Sequence, residues 1–371
     1  MPTKAAIFPF NERMLPVVRH FNASQNQYDI QKVMTWSGCG LNGKDASFIC
    51  RHTCVNIPVT IPTLPDDESE WDTLIVDCDV ICNSNSTLDV SEFLGNCLSA
   101  GKKIVAVTSQ ENLPGADKIW GNLLAVYSGR IHIFSSQKSV VRHFDDVGDR
   151  YKPISIPILL VGGLVQQCDT LEVVLSLREA FCTHGHRASC ITGSNMGLLV
   201  GMHSYAHLFG EMTSLSEEEK ALRLNEMART VILNERPELL IIEAPDAIMK
   251  YNNIAPNGFG LRTYLMSQAL DPDLLICCLP IDLVDESFLN AISQDCLNRY
   301  GCPIGAVHVS NVLIDSLRTV QDHQVTCTHT DLSAVQEVLR QTAGNISVPV
   351  YDVVSDGAEE LFYRIAQTML N

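Results

Sequence analysis

One stretch of the 371-residue chain has the spacing of phosphate chemistry. In Ile156–Arg178, IPILLVGGLVQQCDTLEVVLSLR, Gly163 is followed after four residues by Cys168, Asp169 and Thr170. This overlays the phosphate-binding pattern GxxxxGK[ST], with the second glycine and the lysine replaced. A working loop needs glycine so that backbone N–H groups can curl around phosphate oxygens, lysine to neutralise the outer phosphates, and Ser/Thr to ligate magnesium. Gly163 and Thr170 survive, with Gly162 before them and Glu172 in the first helical turn after them. The context is right for such a loop. An apolar strand, Ile156–Val161, leads in, and a helix with Leu171, Val174, Leu175 and Leu177 on one face leads out. Glu243 and Asp246 close a later strand, where a phosphate-loop protein keeps its magnesium-organising carboxylate.

The set Gly162, Gly163, Thr170, Glu172, Glu243 and Asp246 therefore forms a phosphate-loop-like candidate with two readings. It is either a Mg-nucleotide site or a loop that has lost that chemistry and holds no cofactor. Electrostatics favours the second. Asp169 in place of lysine changes the local charge by two units beside a polyanion, and one unit-charge interaction is worth roughly 4 kcal/mol at 4 Å and a dielectric of about 20. The lost attraction and gained repulsion together rival the roughly 8 kcal/mol of a micromolar site. ATP is expected to bind no better than millimolar.

Two further constellations compete. The loop Ala244–Gly260, APDAIMKYNNIAPNGFG, leaves a strand's carboxyl end and gathers Asp246, Lys250, Tyr251, Asn252, Asn253 and Asn257. Long loops at that edge of an α/β sheet carry function, which makes Asn252, Asn253 and Asn257 a candidate binding surface. Cys182, His184, His186 and Cys190, with His203 and His207, offer zinc-type ligands, and HSYAH would set two histidines at i and i+4 of one helix. Against zinc, Cys182 falls near a helix end and Cys190 in a strand, so the sheet and no compact loop governs their separation. The expectation is no metal, with a zinc-dependent enzyme as the alternative. No GxSxG elbow indicates a serine hydrolase.

The elements that must position these residues follow an α/β rhythm. A charge of −17, pI near 5.0 and acidic residues scattered along the chain argue against nucleic acid and anionic membrane as partners. The apolar core of a signal peptide and any run of 18 apolar residues are missing, so a cytoplasmic protein with reduced cysteines is expected. Strands at Lys4–Phe10, Tyr28–Thr35, Trp71–Cys78 and Lys103–Thr108 alternate with helices at Asn11–Ala23 and Asp89–Ala100. Gly38, Gly40 and Gly43 have the spacing GxGxxG, but the segment after them alternates like strand and turn, which makes them structural turns. Cys78 and Cys82 sit at a strand end with the polar crest Asp77, Asp79, Asn83, Ser84 and Asn85. The polar, proline-rich stretch His143–Pro157 marks a boundary between a domain 1–150 and a domain 151–371. The second domain repeats the rhythm, with a long helix behind Ser214 and Glu217 as a capping box. The expected fold is two open, mainly parallel α/β sheets, the N-terminal one Rossmann- or flavodoxin-like and the C-terminal one like a P-loop NTPase with a degenerate loop.

GCGLNGKDAS (Gly38–Ser47), VGGL with LEVVLSLR (Val161–Arg178), GMHSYAHLF (Gly201–Phe209), and KYNN with NGFG (Lys250–Gly260) carry a resemblance across both halves. The chain resembles the peptide maturation system proteins of clostridial-type bacteria, which are associated with radical SAM maturases of cysteine-rich ribosomal peptides. The resemblance implies a pathway: an accessory or scaffold protein of ribosomal peptide maturation. Its implied partners are a precursor peptide, a radical SAM maturase and an acyl-carrier-like protein. An enzyme of the same pathway using nucleotide or a phosphate-bearing substrate at the Gly163 loop is the alternative.

Overall fold

The computed structural model describes residues 2–23, 27–63, 70–82, 88–114, 116–139, 151–210, 213–342 and 348–370. Contacts divide the chain into two compact units, Met1–Val141 with Ser194–His207, and Arg142–Gly193 with Leu208–Asn371. The sequence places 194–207 in the second domain; its contacts place it in the first unit. The expected boundary stretch 143–157 lies outside the described residues up to position 150.

Unit 1 opens with β1 (Thr3–Phe8), α1 (Leu15–Ala23), β2 (Tyr28–Met34), β3 (Val59–Thr60) and β4 (Thr73–Asp77). It continues through α2 (Cys78–Cys82), α3 (Val90–Ser99), β5 (Lys103–Thr108), α4 (Gly121–Tyr127), β6 (Ile131–Ser135) and α5 (Ser136–Ser139). Its sheet has the order β3-β2-β1-β4-β5-β6, and every pairing is parallel. This is the strand order of a dinucleotide-binding fold, in which the chain reverses direction between β1 and β4. Phe8, Trp71, Phe93 and Trp120 belong to one buried apolar cluster of this unit. Asp89 starts α3 by accepting from the Glu92 amide at 2.9 Å, a side-chain cap for an otherwise orphaned helix N–H. Gly38, Gly40 and Gly43 adopt left-handed turns, as expected of structural glycines, and Lys44 lies over the Phe48 ring. Asn83, Ser84 and Asn85 lie outside the described residues.

Unit 2 begins with β7 (Ile158–Gly163), α6 (Thr170–Thr183) and β8 (Ala188–Thr192). The chain then supplies unit 1 with a 3-10 turn and β9 (His203–Ser204), and passes through α7 (Ala206–Phe209). Back in unit 2 come α8 (Glu217–Glu235), β10 (Leu239–Glu243), α9 (Leu261–Leu270), β11 (Leu274–Pro280), α10 (Glu286–Tyr300) and β12 (Ile304–Ser310). A hairpin of β13 (Val312–Ile314) and β14 (Cys327–His329), with α11 (Ser316–Asp322) between its strands, precedes α12 (Leu332–Thr342), β15 (Val350–Tyr351), α13 (Val353–Asp356) and α14 (Glu359–Met369). Within unit 2 the strand order is β15-β12-β11-β7-β10-β8, again parallel. Every residue of β11, LLICCLP, is buried, which explains its unbroken apolar run: a strand covered by helices on both faces cannot alternate. The N-cap of α8 lies two residues beyond the expected capping box. Ser216, not Ser214, accepts from the Glu219 amide at 3.2 Å, and Glu217, Glu218 and Glu219 then sit in the first turn, where the helix dipole favours them.

No disulfide joins the described cysteines, and Cys277 and Cys278 are fully buried. Among the described residues no helix is long and apolar enough to cross a membrane.

Candidate functional site

The Gly163 loop lies where its sequence puts it, between the end of β7 and the start of α6. Gly163 has no room for a side chain, since a Cβ there would stand 2.6 Å from the Val165 carbonyl oxygen. Gly162 is packed as closely against Ile248 and Ala244. Leu164, Val165 and Cys168 are buried, and Cys168 donates its amide to Val165, so the loop turns inward on apolar side chains. Burial holds the Cys168 thiol well above its usual pKa, and the nearby Cys278 and Asp169 add to this. That excludes it as a ready thiolate nucleophile.

Asp169, at the lysine position, takes a left-handed backbone (φ 56°) and does not cap α6 with its side chain. Its carboxylate is 7% exposed and turns toward β12, where Ser310 Oγ donates to Oδ2 at 2.5 Å and His308 Nε2 lies 3.5 Å away. His308 is fully buried, and its Nδ1 accepts from the Val353 amide at 3.2 Å. Since Nδ1 must be the acceptor, the neutral ring carries its proton on Nε2, facing Asp169. The acid is thereby fixed by two donors. The imidazole, held as a donor, is not placed to act as a base.

Thr170 and Glu243 do meet. Thr170 Oγ1 donates to Glu243 Oε1 at 2.8 Å, and Glu243 Oε2 accepts from Thr192 Oγ1 and from the Gly193 amide at 3.1 Å. The strand carrying Glu243, β10, lies directly beside β7, and Glu243 pairs in register with Val161. Glu172 is buried in the first turn of α6.

Asp246 proves to be a helix cap. Its carboxylate accepts from the amides of Thr263 (3.0 Å) and Arg262 (3.3 Å) and from Thr263 Oγ1 (2.6 Å), in the first turn of α9. Burial pushes its pKa up, against these hydrogen bonds, which lower it. The Ala244–Gly260 loop is stitched to the Gly163 loop: the Ile248 amide donates to the Gly163 carbonyl at 3.0 Å, and Asn257 Nδ2 donates to the Leu164 carbonyl at 3.0 Å. Tyr300 donates its hydroxyl to the Ile248 carbonyl from behind. Asn252 and Asn253 act locally. Asn252 Oδ1 closes a turn with the amides of Ile254 and Ala255, and Asn253 Oδ1 accepts from Lys250.

Sequence reasoning passed over what this loop displays. Asn257, Gly258, Phe259 and Gly260 are four consecutive residues with positive φ, from 50° to 71°. At Gly260 glycine is obligatory, because a Cβ would stand 2.6 Å from the Ile248 carbonyl oxygen. Phe259 tolerates the left-handed region while 51% exposed. Ile254, Leu261 and Tyr264 around it in sequence are exposed too. The two flanking glycines of NGFG were the available signal.

The zinc-type ligands are dispersed. His203 belongs to β9 and His207 to α7, so they do not share a helical face. His184 engages Glu359 and Tyr363, His186 engages Glu238, and His207 meets Ser136. Among the described residues, no group of three or more His, Cys, Asp or Glu side chains is placed to hold a metal ion.

No family model matches the chain, and no curated protein does. A solved DUF1611 family protein from Anabaena variabilis shares the fold, with a TM-score of 0.64 over 98% of this chain and 99% of that one at 14% identity. Cobyrinic acid a,c-diamide synthase from Mycobacterium smegmatis, solved with ADP and magnesium, aligns with 58% of this chain and 94% of its own at 15% identity and a TM-score of 0.33.

Proposed function

We propose that the chain is an accessory protein of ribosomal peptide maturation, whose second unit binds a precursor peptide or its maturase at the Ala244–Gly260 loop and does not turn over a nucleotide. One observation carries this reading: Phe259, 51% exposed, is held in the left-handed region. A bulky residue there costs about 1–2 kcal/mol, and burial of the ring does not offset it. Such strain persists where the surroundings over-determine the backbone, and it collects at binding and switch sites. Here Asn257, Gly260 and the Ile248 backbone fix the loop. A rigid, exposed aromatic beside Leu261 and Tyr264, which lie at i and i+3 of α9, is the kind of anchor that peptide interfaces use. The charged groups of the phosphate-like loop are meanwhile committed to protein partners.

The test is coexpression with the products of neighbouring genes, followed by capture on this chain and intact mass of the peptide. The precursor or the maturase is expected to co-purify, and Phe259→Ser to release it. A matured peptide of the same mass and yield without this chain would overturn the reading.

A second reading rests on the Thr170–Glu243 contact at 2.8 Å. These two residues would hold the magnesium of a Mg-nucleotide, which would supply phosphate charge neutralisation. The donor set suits a hydrated magnesium with few protein ligands, but the lysine is missing. Calorimetry decides: micromolar affinity for ATP or GTP that is abolished by Gly163→Val establishes this reading, and affinity no better than millimolar removes it.

A further inference from the structure

The far edge of the unit 2 sheet carries a second surface, separate from the loop above. β15 is the terminal strand, paired on one side with β12 through Val307↔Val350 and His308↔Tyr351. The Pro349 carbonyl accepts from the Val307 amide at 2.9 Å. In a parallel ladder alternate residues face the partner strand, so the N–H and C=O of Val350 point away from the sheet. Beside them lies a groove of about 340 Å³ walled by Leu339, Val348, Pro349, Val350 and Tyr351. Each of these is only half-buried.

The polar part of the groove is acidic. Asp352, Asp356 and Glu360 line it, and no lysine, arginine or histidine does. Asp352 is buried and spent on structure, accepting from the Ser355 amide at 3.0 Å and from Gln336 Nε2 at 3.1 Å. Asp356 and Glu360 are exposed at the rim. Of the bases on adjoining helices, Arg340 pairs with Glu337, and Arg364 donates to the Gly305 carbonyl while its charge also reaches Tyr351 of the groove wall.

We propose that this groove takes a basic, extended peptide segment, which adds a strand to β15 through Val350 and sets its lysine or arginine side chains against Asp356 and Glu360. Open strand edges are templates for pairing, and proteins that leave them unused blunt them with lysine, proline or a cover. Here the charges that line the groove are all carboxylates. They repel a second copy of this acidic chain and select a cationic partner. Alternation along an extended segment lets apolar side chains meet Val348 and Leu339 while basic ones face the rim.

The probe is a fluorescein-labelled Lys-Val-Lys-Val-Lys peptide with blocked termini, followed by anisotropy on the full chain. Saturable binding is expected, weakening as salt is raised from 50 to 500 mM. An Asp356→Asn, Glu360→Gln variant should lose roughly three- to tenfold in affinity, the range of two exposed ion pairs. Val350→Pro, which removes an outward N–H that no described residue accepts, should abolish binding while leaving thermal unfolding unchanged. Equal binding of Glu-Val-Glu-Val-Glu, full competition by spermine, or unaltered affinity in either variant would overturn the proposal. None of these outcomes bears on the Phe259 surface, which both variants leave intact.

Discussion

Phe259 and Asp169 stand for the two ways in which a residue can break its local rule. Phe259 occupies a conformation suited to glycine, and its exposed ring recovers little by burial. Replacing it by glycine is expected to stabilise unit 2 by about 1 kcal/mol while weakening peptide capture, read as a raised unfolding midpoint beside a lost pulldown. An unchanged or lowered midpoint would mean that the ring packs in solution. Asp169 breaks the phosphate-loop pattern, and its partners explain why the chain tolerates it. Ser310→Ala, which deletes the 2.5 Å donor to a nearly buried carboxylate, is expected to cost about 1–3 kcal/mol in urea unfolding. The substitution at 169 was visible in the sequence, but its consequence was not. Ser310 and His308 lie 141 and 139 residues away in the chain, and only the placement of β12 two strands from β7 brings them to the loop. The cap made by Asp246 was hidden for a related reason. A carboxylate at a strand end signals charge, and whether a cation or a helix N-terminus receives it depends on where α9 begins.

At the scale of elements most of the architecture was legible, because apolar runs bounded by turns and capped helices are local signals. Both parallel sheets, the strand β7 with its loop, and the start of α3 at Asp89 followed from such runs. HSYAH failed because five residues satisfy the spacing of a helix without the length to nucleate one, and the chain uses His203 in a strand. Where β4 passes into α2, the structure adds a titration that no pattern displays. Asp77 Oδ1 accepts from the amides of Asp79 and Val80, both at 3.1 Å, yet burial, with the Asp79 charge adding, pushes its pKa from 3.8 to about 7. Between those values the folded chain holds a proton that the unfolded chain has released. The stability of unit 1 therefore falls as pH rises from about 4 to 7 and levels off above. Asp77→Asn keeps the capping oxygen and removes the charge. Its unfolding midpoint is expected to lack that slope and to exceed the parent's at pH 8. A parallel pH profile in parent and variant would assign the slope to other groups.

For the molecule as a whole, the division into two halves was read from a composition shift, and a linear reading of composition cannot see a segment that returns. Ser194–His207 lies beyond the boundary in sequence but belongs by its contacts to unit 1. Asn195 Nδ2 donates to Asp79 Oδ2 at 2.8 Å, Ser204 donates to Asn195 at 3.2 Å, and Ser136 meets His207 at 3.3 Å. Met196, Met202 and Tyr205 of the same segment are buried. Burying side chains of that size is worth about 1.5–3 kcal/mol each, and the sum is comparable with the 5–15 kcal/mol that holds a typical domain folded. A chain cut at residue 150 therefore leaves its first fragment without a part of its own core and its Asp79 without the Asn195 donor. Fragments 1–150 and 151–371, coexpressed with a tag on the second alone, are expected to co-purify as one species. Fragment 1–150 expressed by itself should aggregate or unfold well below the midpoint of the intact chain. Asn195→Ala in the second fragment should weaken the association measured by size exclusion at low micromolar concentration. A soluble, cooperatively unfolding 1–150 with the midpoint of the intact protein would show that the returning segment only rests on unit 1 and does not complete it.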